Sequence, residues 1–132
     1  MMLVDSNVLM YAAGAEHPNK ARAVAFLERV ATGEIEAAVD AEVLHEIIHR
    51  YRALNRWEEG KKVYRLAREL FPDVLAVTAE VMDRAKELVD ADASLSARDA
   101  VHAAVVRVYA LDGICTFDRD FDRIPGCKRL GP

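Results

Sequence analysis

The sequence opens with MMLVDSN (residues 1–7), in which four apolar residues are followed by Asp5, Ser6 and Asn7. A short apolar run of this kind predicts a buried strand. An ionised carboxylate at the end of a buried strand is costly unless it reaches water, a hydrogen-bond donor or a cation. The position of Asp5 therefore indicates that other parts of the chain supply a partner for it.

Further apolar runs alternate with segments that have helical spacing. Strands are predicted at residues 2–5, 35–40, 74–77 and 113–117, with 128–130 as a candidate edge strand. Helices are predicted over residues 17–33, 41–54, 58–71, 78–90 and 97–111. The second and third of these helices would form a hairpin over Asn55 and Arg56. Strands that alternate with helices predict an α/β fold with a mostly parallel sheet covered on both faces.

Length and composition restrict the class of protein. The chain has 132 residues, enough for one domain and too few for two, so a single domain over residues 1–132 is expected. No stretch can span a bilayer and the N-terminus lacks the basic segment of a secretory signal, so a cytoplasmic protein without a membrane role is expected. The net charge of −4 argues against a nonspecific nucleic-acid coat, which is usually strongly basic. Cys115 and Cys127 lack the close spacing of a zinc site.

Two acidic residues directly follow predicted strands. Asp5 follows the first strand, and Asp118 follows the strand GICTF (residues 113–117). In open α/β sheets, ligands bind beyond the carboxyl ends of the strands. If these two strands are neighbours, their carboxylates lie close together at one edge of the sheet.

Helical geometry places two further acids near the same edge. Glu46 lies beside the apolar face of the 41–54 helix, whereas Glu42 lies almost opposite that face and is expected in solvent. Asp99 occupies the first turn of the 97–111 helix, which is apolar nearly all round and should be buried. The first turn of such a helix opens toward the strand ends, so Asp99 is a further candidate for the site.

Each of these acids also has a structural explanation when it is taken alone. Ser96 and Asp99 match a capping box, in which the serine caps the helix and the aspartate returns the bond. Asp5 could cap a turn through its side chain, and Asp118 could be an ordinary turn residue. Glu46 could be a charge at the rim of the core. For single residues these explanations stay open.

Four carboxylates gathered at one site need a compensating charge. Two carboxylates about 4 Å apart repel by roughly 4 kcal/mol at an effective dielectric constant near 20. Such a cluster must take up protons, arginines or metal ions, and all-oxygen ligands suit Mg²⁺ or Mn²⁺. Two such ions can activate a water and stabilise the leaving oxygen in phosphodiester hydrolysis. A divalent cation would therefore explain why Asp5 ends a buried strand.

With these motifs the chain resembles a PIN-domain ribonuclease of the VapC type, the toxin of a toxin–antitoxin pair. The matching segments are DSNVLMYA (5–12), AEVLHEIIHRY (41–51), LSARDAVHAA (95–104) and GICTFDRDFDRI (113–124). Each motif is short, but the four in this order over nearly the whole chain are specific. The resemblance implies one PIN-like domain with a sheet of about five strands and a protruding helical hairpin. It further implies homodimerisation, Mg²⁺- or Mn²⁺-dependent cleavage of RNA and neutralisation by a small antitoxin.

The resemblance also implies roles for the four acids as catalytic residues. Asp5, Asp99 and Asp118 would hold the ion or ions. Glu46 would bind a second ion or position the attacking water. Asp122 is a further candidate ligand, because several acids crowd the last motif and it, or Asp120, could assist or replace Asp118.

Other residues are expected to support the acids. Asn7 and Thr116 would orient the carboxylates or a water on the metal. Contacts with the RNA backbone, which position a strand without reading its sequence, are expected from Arg119, Arg123, Arg50 and Arg52. One departure from the pattern is Asp40, which stands where relatives often carry serine or threonine before the glutamate helix.

Three other functions are kept as alternatives. A PIN-fold RNA-processing nuclease outside a toxin–antitoxin pair would have the same acids. A phospho-acceptor signalling domain would also carry aspartates at strand ends, but it would want a lysine on a late strand, and GICTF has none. A catalytically inactive binding module would lack one of the carboxylates, and all four are present.

The sequence also contains a rival metal motif. HEIIH (residues 45–49) matches the zinc-peptidase pattern H-E-x-x-H. A zinc site would need a third ligand, which His102 or Glu80 would have to supply. His45 and His49 fall on the helix face away from the apolar residues and are expected in or near solvent, which argues against a zinc peptidase.

Overall fold

Four parallel strands form the central sheet of the computed structural model, which describes all 132 residues. The strands are β1 (Met2–Val4), β2 (Ala37–Asp40), β3 (Val74–Leu75) and β4 (Ile114–Cys115). Their order across the sheet is β3-β2-β1-β4. Leu3 of β1 pairs with Ala38 on one side and with Ile114 on the other. The carboxyl ends of β1 and β4 are therefore neighbours, as the positions of the first and last acids predict.

Six helices surround the sheet, and a short 3₁₀ helix follows at Arg119–Arg123. They are α1 (Ser6–Ala13), α2 (Lys20–Ala31), α3 (Ala41–Ala53), α4 (Trp57–Leu70), α5 (Ala79–Ala91) and α6 (Ala97–Val108). The five predicted helices are confirmed, and α1 is additional. Its eight residues are too few to show a clear helical period in the sequence. None of the helices has the length and hydropathy needed to cross a membrane.

The prediction of about five strands is wrong, because the candidate edge strand at 128–130 does not form. Ile114 exchanges two backbone hydrogen bonds with this segment, which makes one isolated bridge. The next donor, the Thr116 N–H, bonds to the carbonyl of Gly131 at 2.7 Å. That carbonyl lies one residue beyond the one that a continuing parallel ladder would use, so pairing stops after a single bridge.

Alternation along the strands divides the core between the two faces of the sheet. Leu3 and Ile114 pack with α5 and α6 on one face. Val4 and Cys115, the next residues along, pack with helices α1 to α4 on the other face. Successive side chains of a strand point to opposite faces, so each central strand contributes to both halves of the core.

The predicted helical hairpin is formed by α3 and α4. Asn55 turns the chain between them with a φ of 56°, a conformation that asparagine tolerates better than most residues. The inner face of the hairpin packs into the core beside β1 through Ile47, Val63 and Ala67. This packing holds the carboxyl end of β2, the start of α3 and the end of β1 at one edge of the sheet.

Candidate metal centre

Asp5 lies at the junction of β1 and α1, with 6 % of its surface exposed. It occupies the N-cap position of α1, but its side chain makes no capping hydrogen bond. Instead, Asp5 Oδ2 accepts hydrogen bonds from Thr116 Oγ1 at 2.7 Å and from Asn7 Nδ2 at 3.3 Å. Burial raises the pKa of this carboxyl above its usual range. The carboxylate therefore serves a buried polar site and not the helix end.

Thr116 and Asn7 connect the ends of β1 and β4. Thr116 Oγ1 accepts hydrogen bonds from Asn7 Nδ2 and from the Asp118 backbone N–H, each at 3.0 Å. Asn7 Oδ1 accepts from the Phe117 N–H at 3.3 Å. Both side chains thus hold the acids of two different strands in one network.

Glu46 lies on α3 with its carboxylate buried and held at both oxygens. Its Oε1 is 2.8 Å from His102 Nε2 and 3.3 Å from Arg98 Nε. Its Oε2 accepts a hydrogen bond from Ser6 Oγ. The expectation that Glu42 points into solvent is only partly correct, because its side chain is 22 % exposed and bonds to His45 at the rim of the site.

His102, considered from the sequence only as a third ligand of a zinc site, is the main residue that was not predicted to lie beside the acids. It is fully buried, and its Nδ1 lies 2.7 Å from Asp40 Oδ2. Burial alone would lower the pKa of His102, but the charge and hydrogen bond of Asp40, the hydrogen bond to Glu46 and the charge of Asp5 raise it well above 6.5. Two signals were available: a histidine within an otherwise apolar helix, and the unexpected aspartate at position 40.

A second acidic group joins the start of α6 to the end of β4. Carboxylate oxygens of Asp99, Asp118 and Asp120 all lie within 4.8 Å of one another. Ser96 Oγ accepts from the Asp99 N–H at 3.1 Å, so the predicted helix cap is present as well. Burial, together with the charges of Asp118 and Asp5, raises the pKa of Asp99 against the opposing effect of Arg98. The helix cap and the acidic group are therefore both present at the start of α6.

Asp122 is the one predicted ligand that the structure leaves outside both acidic groups. It lies on the surface, where its Oδ1 accepts a hydrogen bond from Arg129 Nε at 2.9 Å. That hydrogen bond lowers the pKa of Asp122. Its neighbour Asp120 bonds through its N–H to the Asp118 carboxylate at 2.9 Å and joins the acidic group instead.

The donor atoms of the two groups fit a divalent cation. Oxygens of Asp5 and Glu46 lie within 4.8 Å of each other and of His102 Nε2. The second group supplies only carboxylates, and the charges of Asp5 and Asp99 act on each other across the gap. Carboxylate oxygens, with at most one imidazole nitrogen, form a donor set suited to Mg²⁺ or Mn²⁺. Burial is the main cause that raises the pKa values of Asp5 and Asp99.

Asp5, Glu46 and Asp118 open into a cleft of about 910 Å³ that carries several basic side chains. Among the four arginines predicted to contact RNA, only Arg50 lines it. Arg52 and Arg119 are exposed elsewhere, and Arg123 lines a separate cavity of about 480 Å³. The cleft also carries Arg56, in the turn of the hairpin, and Arg98, which sequence reasoning missed.

The zinc-peptidase motif does not form a metal site. His45 and His49 are exposed, with ring centroids 6.0 Å apart, and neither belongs to a group of converging ligands. Glu46, which lies between them in sequence, points inward to His102. The motif is therefore a coincidence of helical spacing.

Comparison with known proteins agrees with the fold. The sequence model of the PIN domain family matches residues 2–126. VapC ribonuclease Mb1869c from Mycobacterium bovis and Ribonuclease VapC13 from Mycobacterium tuberculosis are each 40% identical over 130 residues, 98% of this chain and 99% of each relative. A solved structure of VapBC2 from Rickettsia felis, bound to a DNA fragment from its promoter, matches with a TM-score of 0.77 at 16% identity, over 98% of this chain and 97% of that chain. The chain therefore belongs to the PIN-domain family and, within it, to the VapC-type proteins.

Proposed function

We propose that this protein is a divalent-metal-dependent endoribonuclease and the toxin of a VapBC-type toxin–antitoxin pair. The observation that carries the proposal is a pair of acidic groups, one with Asp5 and Glu46 and the other with Asp99 and Asp118. Asp5, Glu46 and Asp118 line a cleft that also carries arginines. The curated relatives are named as ribonucleases, and the likeness to them covers almost the whole chain. Family and site thus agree on hydrolysis of RNA phosphodiester bonds.

The proposed chemistry assigns a task to each acid. Asp5, Asp99 and Asp118 hold Mg²⁺ or Mn²⁺, and Glu46 contributes to a second ion or orients the attacking water. When bound, such ions supply an activated water and stabilise the leaving oxygen of the phosphodiester. Thr116 and Asn7 keep the Asp5 carboxylate in place through their hydrogen bonds.

The cleft arginines are suited to binding the RNA backbone. Arg98 is half-exposed and lies 3.3 Å from Glu46, at the mouth of the acidic site. Arg50 and Arg56 line the same cleft on α3 and at the start of α4. Contacts of this kind position the phosphates at the acids and carry no sequence information.

The remaining parts of the proposal concern assembly and location. Solved structures with this fold include VapBC2 from Rickettsia felis and a toxin–antitoxin complex from Klebsiella pneumoniae. We assign this chain a small antitoxin partner, a homodimeric state and a cytoplasmic location, with residues 1–132 as one nuclease domain. Mg²⁺ and Mn²⁺ are the proposed cofactors because the donor set is mainly carboxylate oxygen.

The test is cleavage of a panel of tRNA and rRNA fragments with Mg²⁺ or Mn²⁺, repeated with EDTA. We expect cleavage that stops with EDTA and that Asp118→Asn reduces by orders of magnitude, because the acidic site loses one charge. Incubation with a small phosphodonor serves as the counter-test. A stable aspartyl phosphate without RNA cleavage would favour the signalling alternative and contradict the proposal.

A further inference from the structure

Three buried polar side chains form a continuous chain behind the cleft. His102 has no exposed surface, and its two ring nitrogens lie 2.7 Å from Asp40 Oδ2 and 2.8 Å from Glu46 Oε1. No buried side-chain nitrogen or oxygen in the protein lacks a hydrogen-bond partner. A fully satisfied buried network of this kind fixes the orientation of its members.

Asp40 ties this network to the helix that carries Glu46. Its Oδ1 accepts a hydrogen bond from the Val43 N–H at 2.9 Å and caps α3. Serine or threonine could also cap α3, but the single side-chain oxygen would be used for the cap. The second oxygen of a carboxylate lets Asp40 cap the helix and hold His102 at the same time. The aspartate at this position and the histidine 62 residues away therefore act as a pair.

His102 could in principle bind an ion directly, because its Nε2 lies near both Asp5 and Glu46. Two observations favour an indirect role. Asp5 and Glu46 line the cleft, whereas His102 has no surface there. Each ring nitrogen also lies at hydrogen-bond distance from a carboxylate oxygen, 2.7 Å for Nδ1 and 2.8 Å for Nε2, so both nitrogens already have a partner within the protein. Neither nitrogen is left over for an ion.

We propose that His102, braced by Asp40, is a positioning residue that donates to Glu46 Oε1 and holds this carboxylate at the cleft without touching ion or RNA. The inference rests on the proposed function, in which Glu46 belongs to the metal centre. Ser6 Oγ donates to the other oxygen of Glu46, so two donors on different helices fix the plane of the carboxylate. Loss of such an outer partner typically lowers metal affinity or activity by about 10- to 100-fold.

Three variants separate positioning from general structural support. His102→Gln places an amide nitrogen near the position of Nε2 and keeps a donor for Glu46. His102→Asn places its amide near Nδ1 and leaves Glu46 without that donor. Asp40→Ser keeps the cap of α3 and removes the brace. Thr78→Ala is the matched control for lost stability, because it removes the cap of α5, which lies away from the cleft.

The measurements are Mn²⁺ affinity by electron paramagnetic resonance and RNA cleavage kinetics on the untagged full-length protein. We expect His102→Asn and Asp40→Ser to lower Mn²⁺ affinity and kcat by about 10- to 100-fold, with the KM for RNA unchanged. His102→Gln, which keeps the donor to Glu46, should retain more Mn²⁺ affinity and kcat than His102→Asn, and Thr78→Ala should stay close to the wild type. The spin-echo modulation of Mn²⁺ in the wild type should show no directly bound nitrogen.

Two results would overturn the inference while the proposed function stands. One is a nitrogen bound to Mn²⁺ in the wild type and lost in His102→Gln, which would make His102 a ligand. The other is a His102→Asn variant with the Mn²⁺ affinity and kcat of an active wild type. A wild type that neither binds Mn²⁺ nor cleaves RNA would overturn the proposed function and this inference with it.

Discussion

Individual carboxylates in this protein ionise differently according to where they lie. Burial raises the pKa of Asp5, and burial together with the charge of Asp118 raises that of Asp99. The pKa of the surface residue Asp122 is shifted in the opposite direction, because its hydrogen bond with Arg129 lowers it. Acids with raised pKa values are those whose charge the protein does not neutralise by itself. Raised pKa values of this kind are expected of carboxylates that bind a cation when the cation is absent.

The first prediction concerns the pH dependence of stability in the metal-free protein. The pKa of His102 is raised above 6.5 in the folded state, so the folded chain binds this proton more tightly than the unfolded chain. The resulting stability is fully present below pH 6.5 and is lost as the pH rises through the raised value, by up to about 1.4 kcal/mol per pH unit. Urea unfolding of wild type and His102→Gln across this window measures it. If the free energy of unfolding depended on pH with the same slope in the two proteins, the assignment to His102 would be contradicted.

The second prediction separates a cleft arginine from a surface arginine. Arg98→Ala should weaken RNA binding and reduce the slope of log affinity against log salt by about 1, because one phosphate contact is lost. Arg52→Ala is the matched control, since Arg52 is exposed and does not line the cleft. Filter binding of RNA in a salt series, with Asp118→Asn in the background to prevent cleavage, gives both slopes. The same slope for both arginine variants would speak against this path for the RNA.

The acids lie close together chiefly because of where the helices begin. The three helices that contribute to the site, α1, α3 and α6, all begin at the edge of the sheet where the strands end. Asp40 and Ser96 cap the last two of these helices through their side chains. A cap fixes where a helix starts, and so fixes which residues lie in its first two turns. Glu46 and Asp99 are placed at the site in this way.

The third prediction tests the link between helix capping and the site. Ser96→Ala and Thr78→Ala each remove one side-chain cap, from α6 and α5 respectively, and should each lower the free energy of unfolding by about 1 kcal/mol. Only Ser96→Ala should also reduce RNA cleavage, because α6 carries Asp99 in its first turn. Urea unfolding and single-turnover cleavage are measured on both variants. Equal losses of cleavage would show that the effect is one of stability alone.

The fourth prediction concerns the close packing of the helical hairpin. A Cβ at Gly60 would lie 2.6 Å from Tyr51 Cβ and 2.9 Å from Trp57 Cε3, so α3 and α4 would have to separate. Alanine favours a helix over glycine by about 1 kcal/mol, but overpacking typically costs about 1–3 kcal/mol. Gly60→Ala should therefore destabilise the protein by about 1 kcal/mol in urea unfolding. A stabilised variant would mean that the hairpin can open at little cost.

At the scale of the whole molecule, the order of the strands creates the site. β1 lies between β2 and β4, so Asp5, Asp40 and the segment leading to Asp118 leave the sheet at the same edge. The sequence was sufficient to predict this part, because apolar runs ending in acids define strand ends and α/β topology places ligands there. Glu46 was predicted for a similar reason, from its angle beside the apolar face of α3.

The features that the sequence did not predict depend on contacts between distant segments. Asp40 and His102 are 62 residues apart, and neither shows its partner in a local pattern. Asp122 was favoured over Asp120 as a further ligand, and only the turn of the 3₁₀ helix brings Asp120 into the acidic group and leaves Asp122 outside it. The predicted edge strand at 128–130 does not form because the backbone pairing is offset by one residue at Gly131. Side-chain patterns do not encode such an offset.

The central claim, that Asp5 is a metal ligand and not a structural acid, is tested most directly by melting curves with and without Mn²⁺. Without metal, Asp5→Asn should melt at the same temperature as the wild type or higher, because it removes a carboxylate whose charged form is disfavoured by burial. Mn²⁺ should raise the melting temperature of the wild type, by binding to the native state, and of Asp5→Asn much less. Asp122→Asn is the matched control and should show the wild-type shift, since Asp122 lies outside both acidic groups. Equal Mn²⁺ shifts in the wild type and Asp5→Asn would contradict the account.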